Sequence, residues 1–419
     1  MKVIYLNPTG VIGGAEMCLL DILAVLGPSR LEWSPRVVLG DDGPLRAEVE
    51  ALGVPCSVLP MPDRLAALGD AGLGSGSRAR LALAAKAPLA ALAAAGYLAR
   101  LRRALRNEAA DLLQTNGMKA HVLGAWAAPR SMPVIWHLHD YISSRAVMAR
   151  LLRLSARRRV RVVAVSRSAA ADATRALGLR VPIEPIHNAV DLDRFTPGPG
   201  DGARLDELAG LPPALSGTVR VGLVAAYARW KGQEVFLDAA ARLEPGLKAR
   251  FFIVGGPLYK SAGSQYSRAE LEARAEALGL GNRLGFVSHQ GDPSSVYRAL
   301  DVVVHASTRP EPFGRVIAEA MACGRPVLVA KAGGAAELFE DGVSAIGCEP
   351  GNAAALASAI SGLIGDRAQR EALGQGGRAE AVKRFDRARL AEEWGRVYNQ
   401  SLGRETATVR AGRRQGGAT

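Results

Sequence analysis

Two glutamates, Glu311 and Glu319, stand eight residues apart in the stretch RPEPFGRVIAEAMACGRPVLVAKAGG at 309–334, on either side of a Phe-Gly pair. Carboxylates accept hydrogen bonds from vicinal hydroxyls, and the first turn of a helix leaves backbone N–H groups without intrahelical partners. The pattern predicts one helix from about Phe313 to Cys323, closed by Gly324 and then by Pro326. Glu311 would lie in the loop before it, and Glu319 about one and a half turns in. Two acceptors beside the N–H groups of Phe313 and Gly314 suit the hydroxyls of a sugar or ribose, and the helix start suits an anion. The competing reading is plainer: Arg315 and Glu319, at i and i+4, form a surface ion pair, and Glu311 is solvated.

Three other stretches have residue types that could do chemistry. In GVIGGAE, Gly13 and Gly14 follow a strand and open a helix. Such glycines either form a tight turn or let the backbone approach a diphosphate. In WHLHD, His137 and His139 fall on the same side of a strand end, where packing, second-layer hydrogen bonding and substrate contact all compete. Asp191-Leu-Asp193 has the DxD spelling that metal-dependent transferases use, but its place in NAVDLDRF argues for a turn or helix start, and no metal is expected.

The elements that must position these residues alternate. Apolar runs KVIYL, RVVLG, VPCSVLP, DLLQT, PVIWHL, RVVAV and VPIEPI read as strands separated by helical patterns, which is the βαβ rhythm of a parallel sheet. A Pro/Gly-rich break at 195–218 follows, and the rhythm restarts with VRVGLVAA, RFFIVGG, RLGFVS, DVVVHAS, RPVLVA and VSAIGC. At 419 residues the chain is long for one core. The expected class is α/β, with two doubly wound, Rossmann-like parallel-sheet domains facing a central cleft. Ligands bind such sheets at the carboxyl ends of their strands.

The block EPFGRVIAEAMACGRPVLVAKAGGAAELFEDG closely resembles the EX7E signature of family 4 retaining glycosyltransferases, enzymes of the GT-B fold. The likeness extends over nearly the whole chain: GVIGGAEMCLLDIL resembles the amino-terminal glycine loop, VSRSAA the segment after the inter-domain strand, and IHNAVDLDRFTP the linker, with Ala189 where the family usually has Gly. The resemblance implies an acceptor-binding domain at 1–195, a nucleotide-sugar-binding domain at 196–385, a helix at 386–403 crossing back to the first domain, and a basic tail at 404–419. It implies that Glu319 binds ribose hydroxyls, that Glu311 holds donor-sugar hydroxyls together with the N–H groups of Phe313 and Gly314, and that His139 contacts the donor sugar. Arg315 lies in the same donor-binding stretch. Gly13 and Gly14 would lie at the diphosphate. Such enzymes usually hold that diphosphate with a GRxxxxKG pattern; here Lys231 and Gly232 are in place but position 226 is alanine. Arg229, two residues before Lys231, is the expected substitute.

The expected reaction moves a hexose-type sugar from a nucleotide-sugar donor to a hydroxyl of a glycan, lipid-linked or small-molecule acceptor, with retention and no cofactor. A sugar-nucleotide epimerase or hydrolase, or a non-catalytic binder, are the alternatives. The net charge is +13, concentrated in the amino-terminal half, which favours anionic partners. Nucleic acid is disfavoured because aromatics are 5% and no recognition motif appears. Four scattered cysteines without CxxC suggest a reducing cytoplasm, and MKVIYLNPTG does not read as a secretory signal. The basic helix LARLRRALRNEAA, and the further charge of RLLRLSARRRVRV at 150–162, suit either a peripheral contact with anionic membrane or an outer helix packed on the first sheet.

Overall fold

The protein is described from a computed structural model covering residues 1–27, 32–66, 77–156, 160–178, 183–257 and 263–404. The chain divides into two compact units, one of residues 1–187 together with the chain from Arg387, the other Asn188–Asp386.

In the first unit seven strands, β1 (Lys2–Asn7), β2 (Ser34–Leu39), β3 (Cys56–Val58), β4 (Leu112–Asn116), β5 (Val134–Leu138), β6 (Val160–Ala164) and β7 (Ile183–Pro185), form one sheet in the order β3-β2-β1-β4-β5-β6-β7. Every pairing is parallel. Strand β5, VIWHL, is buried along its whole length, as expected of strands covered by helices on both faces. The basic helix lies within Ser77–Asn107 and buries Tyr97, Leu101 and Leu105. Its Arg102 donates to the carbonyls of Trp126 and Ala127 at 2.8 and 3.2 Å, so this helix is packed on the unit. The closing helix Leu390–Ser401 also belongs here: the hydroxyls of Tyr398 and Tyr5 lie 2.9 Å apart, and Tyr398 donates to Gln114 at 2.6 Å.

In the second unit β8 (Val219–Val224), β9 (Ala249–Val254), β10 (Leu284–Val287), β11 (Val302–His305), β12 (Val327–Ala330) and β13 (Ile346–Cys348) form a parallel sheet in the order β10-β9-β8-β11-β12-β13. All thirteen apolar runs picked out in the sequence are strands of these sheets. The strand order reverses between β1 and β4 in one sheet and between β8 and β11 in the other, and a crevice forms outside the strand ends at such reversals.

The linker NAVDLDRFTP groups with the second unit, which starts at Asn188, so the first domain does not extend to 195 as expected. Val190 N–H donates to Phe385 O at 2.8 Å, and Arg378 donates to Phe195 O at 3.0 Å. Asp191 Oδ1 accepts from the backbone N–H groups of Asp193 and Arg194 at 3.1 and 3.3 Å, a turn closed by its own side chain. Among the described residues no helix is long and apolar enough to cross a membrane.

Candidate functional site

The site of the second unit is assembled by the loops that leave β8, β11 and β12. The loop after β8 makes a 3₁₀ turn, Arg229–Lys231, ended by Gly232 at φ +81°. A Cβ on Gly232 would lie 1.8 Å from Ala306 O, so only glycine lets the chain pass this close to the end of β11. Thr308 N–H also donates to Trp230 O at 2.8 Å, tying the β11 loop to the same turn. From the other side, Gly334 N–H donates to Glu311 O at 2.7 Å, so the loop after β12 holds the backbone of Glu311.

That stitching puts Lys231 Nζ 2.7 Å from Glu311 Oε2, across eighty residues of sequence. Ser307 Oγ donates to the same oxygen at 3.0 Å, and His305 Nε2 lies 3.3 Å from it. Glu311 is buried. Burial pushes its carboxyl up, but the Lys231 charge and the His305 contact outweigh burial and hold it down at about 2. It is therefore an ionised acceptor across the whole physiological range.

Gly314 follows at φ +94°, in the left-handed region, and the helix begins at Arg315 and ends at Ala322. The helix thus starts two residues later than the spacing predicts, because the left-handed turn at Gly314 comes between Phe313 and the first helical residue. Phe313 is buried with its ring edge-on to Phe385 at 5.9 Å. Glu319 is also buried; Arg315 Nε donates to its Oε1 at 3.2 Å and the Tyr297 hydroxyl to its Oε2 at 2.9 Å. The i,i+4 pair therefore exists, but it is an interior one. Arg315 donates further to Ala189 O at 2.9 Å. Burial and the neighbouring Glu319 push the Tyr297 hydroxyl well up, so it stays a proton donor to that carboxylate.

Arg229 is placed differently. Its Nη2 pairs with Glu270 at 2.9 Å, its Nε donates to Gly263 O at 3.1 Å, and its guanidinium lies 4.3 Å from the Tyr266 ring. Lys231, not Arg229, meets Glu311. The carbonyl of Ala226, where the family arginine would stand, accepts from Gln233 at 2.8 Å.

In the first unit the loop after β1 leads into the helix Gly14–Leu26, capped by Gly13 in extended conformation. Gly14 has open space around a would-be Cβ. Glu16 reaches back: Oε2 accepts from Gly13 N–H at 3.1 Å, and Oε1 from Asn7 Nδ2 at 3.2 Å. Burial raises its carboxyl pKa against those donors. His137 and His139 are together at the end of β5, their rings 4.1 Å apart, and His137 meets the Trp394 ring at 4.8 Å. Burial, then the neighbouring His139, push His137 well below the usual histidine range, so it is neutral, while His139 is half-buried.

Sequence reading missed Tyr297, His305, Ser307 and Glu16. His305 and Ser307 had a faint signal, since they share a strand-alternation face just ahead of Glu311. Tyr297 and Lys231 had none that spacing could reveal as partners of Glu319 and Glu311.

Two doubly wound parallel sheets with this site at the reversal of the second define a GT-B architecture. Residues 216–380 match the family model described as glycosyl transferases group 1, and residues 13–194 match glycosyltransferase family 4. The chain belongs to this family of glycosyltransferases. The solved structure of Anabaena Alr3699/HepE in complex with UDP-glucose is 30% identical, covers 96% of this chain and 100% of its own, and superposes with a TM-score of 0.78. A D-inositol 3-phosphate glycosyltransferase of Mycolicibacterium smegmatis is 39% identical over 165 residues, which are 39% of this chain and 35% of that protein. D-inositol 3-phosphate glycosyltransferase 2 of Catenulispora acidiphila is 34% identical over 230 residues, 52% of this chain and 51% of that one. The chain thus spans about half, or less, of the length of these curated relatives.

Proposed function

We propose that the protein is a retaining glycosyltransferase that moves a hexose-type sugar from a nucleoside diphosphate donor, a UDP-sugar first among them, to a hydroxyl acceptor. One observation carries the reading: two buried glutamates bracket the left-handed Gly314 at the sheet reversal, each held by its own cation, Lys231 on Glu311 and Arg315 on Glu319. Glu319 accepts from the ribose hydroxyls. Glu311 accepts from the hydroxyls of the donor sugar, beside the N–H groups of Phe313 and Gly314. Lys231 carries a positive charge to the diphosphate, and the helix start favours the charge that develops there. His139 contacts the donor sugar, and Gly13 and Gly14 give the diphosphate a close approach to backbone. Arg229 swings from Glu270 to add a second cation.

In the reaction, the bond from the anomeric carbon to the diphosphate oxygen breaks while the acceptor oxygen bonds that carbon on the same face. The leaving phosphate takes the acceptor proton, so no protein nucleophile is needed. No metal or cofactor takes part. We place the reaction in the cytoplasm, at an anionic membrane face to which the protein is held peripherally; the basic amino-terminal half supports this.

A thermal-shift comparison of UDP, GDP and ADP sugars tests the donor, since a ligand at 100 times its dissociation constant adds about 2.7 kcal/mol of stability. Labelled donor with a panel of acceptors then reads the anomeric configuration of the product. Inversion at the anomeric carbon, or release of free sugar alone whatever the acceptor, refutes the proposal.

A further inference from the structure

A surface helix normally turns its charged side to water and its apolar side to the core. The helix Ala146–Ser155 of the first unit does otherwise. It packs inward through Ala149, Leu152 and Ser155, which are small or few, and leaves three larger apolar residues outside: Val147, Leu151 and Leu154 are 45%, 43% and 51% exposed. At 100° per residue these positions fall within about 60° of one another, on the side opposite the buried one. Trp126 is 41% exposed, and its Nε1 donates to Ser155 Oγ at 2.9 Å, which sets the indole beside the end of that helix. Singly exposed leucines are ordinary, but a continuous stripe with an adjoining indole marks an interaction surface.

The stretch of sequence that carries this helix is charged with one sign. Between Asp140 and Asp172 the sequence has Arg145, Arg150, Arg153, Arg157, Arg158, Arg159, Arg161 and Arg167 and no acidic residue. Arg150 and Arg153 are exposed on the helix itself, and Arg102 of the basic helix donates to the Trp126 carbonyl on the adjoining side. Arg145 lies 3.8 Å from Asp140.

We propose that the face formed by Val147, Leu151, Leu154 and Trp126 is the surface by which this protein rests on an anionic lipid bilayer, the apolar stripe entering the headgroup boundary and the arginines pairing with lipid phosphates. This rests on the membrane reading above and gives it a surface. A stripe of leucine and valine with an indole at its end and guanidinium groups on its rim is the composition of an interfacial helix. Nucleic acid would use the arginines but gain nothing from exposed leucines. A second copy of the chain docking by the same face would set like charges against each other, which is unfavourable.

The test is co-sedimentation of the full chain with vesicles of phosphatidylcholine alone, or of phosphatidylcholine with about 30% phosphatidylglycerol. The expected result is binding to the anionic vesicles only, weakened by raising salt from 0.1 M to 0.5 M, since screening shortens the reach of the arginines. Leu151→Ser with Leu154→Ser keeps the net charge and removes the apolar stripe; it should lower the partition coefficient on the order of tenfold. Arg150→Ser should lower it severalfold more weakly. A UDP-glucose thermal shift measured on the same samples should be the same for wild type and variants, which separates this surface from the donor site. Wild-type binding that the leucine variant leaves unchanged overturns the surface while sparing a membrane contact elsewhere. No binding to anionic vesicles overturns both, and leaves donor binding to stand or fall by its own assay. Loss of a concentration-dependent dimer in the leucine variant, with no vesicle binding by wild type, would make the face a self-contact and overturn the proposal.

Discussion

Replacing Lys231 by methionine removes the charge that holds Glu311 ionised in the interior while keeping most of the side chain's bulk. The carboxyl sits at about 2 against an ordinary 4.5. That depression, roughly two and a half pH units, is worth about 3 kcal/mol of folding stability at neutral pH, in line with the cost of breaking a buried ion pair. Because the folded-state value is depressed, the contribution is fully present above 4.5 and is lost as pH falls toward 2; at pH 3 less than half remains. Lys231→Met should therefore destabilise the second unit by about 3 kcal/mol at pH 7 and by markedly less at pH 3. Hydrogen exchange of the β8 and β11 amides reads that unit separately from the first. Glu311→Gln added to Lys231→Met should restore part of the loss, since it removes the stranded charge. A Lys231→Met cost below about 1 kcal/mol, or one that does not change between pH 7 and pH 3, refutes the reasoning.

Tyr297→Phe removes one donor from buried Glu319 and should cost about 1 kcal/mol of stability and weaken UDP binding severalfold by calorimetry. Glu319→Ala should weaken free UDP, whereas Glu311→Ala should spare UDP and damage use of the UDP-sugar; equal UDP binding by wild type and Glu319→Ala removes the ribose assignment. Arg229→Ala should lower kcat/KM at least thirtyfold if the guanidinium leaves Glu270 for the diphosphate, and a change within about threefold would show Lys231 acting alone. Buried His121 and His137 are both pushed well below their ordinary value, chiefly by burial, so the unfolded chain takes up protons first. Stability of the first unit should fall as pH drops below about 6, by up to about 1.4 kcal/mol per pH unit for each histidine, and His137→Asn should flatten that slope. Chelator should leave turnover unchanged, and recovery by Mg²⁺ or Mn²⁺ after its loss would reopen Asp191-Leu-Asp193 as a metal site.

The strands were legible because strands of a parallel sheet are buried on both faces and so read as unbroken apolar runs, as VIWHL and VLVA do. The helix after Glu311 was legible to within two residues; what shifted it was the φ of one glycine, which sequence marks but does not measure. The linker's attachment was not legible. It depends on Arg315 reaching Ala189 O and Val190 pairing with Phe385, contacts that span 126 and 195 residues. Nor was the interior character of the Arg315–Glu319 pair, because i,i+4 spacing is the same on a wet face and a buried one. The Glu311 partners divide the same way. Ser307 and His305 are sequence neighbours with an alternation signal, whereas Lys231 arrives from β8 only because β8 and β11 are adjacent in the sheet.

That adjacency explains why the two glutamates behave as one device. Glu311 is fixed from the strand-end side, by Lys231 after β8, by His305 and Ser307 at the end of β11, and by Gly334 after β12. Glu319 is fixed from the other side, by Tyr297 in the helix Pro293–Ala299 and by Arg315, which is itself tied to the linker. Between them the left-handed Gly314 turns the chain from loop to helix, and a Cβ there would meet Ile317 Cδ1 at 2.9 Å in a backbone conformation that other residues rarely adopt. A shift of that turn would therefore move both carboxylates relative to their separate anchors. Holding acceptors to a fraction of an ångström is what a site needs if it is to bind a sugar and a ribose of the same donor together. The short helix is thus the rigid joint of the proposed donor site, and the Phe-Gly pair at its front is where that rigidity is made.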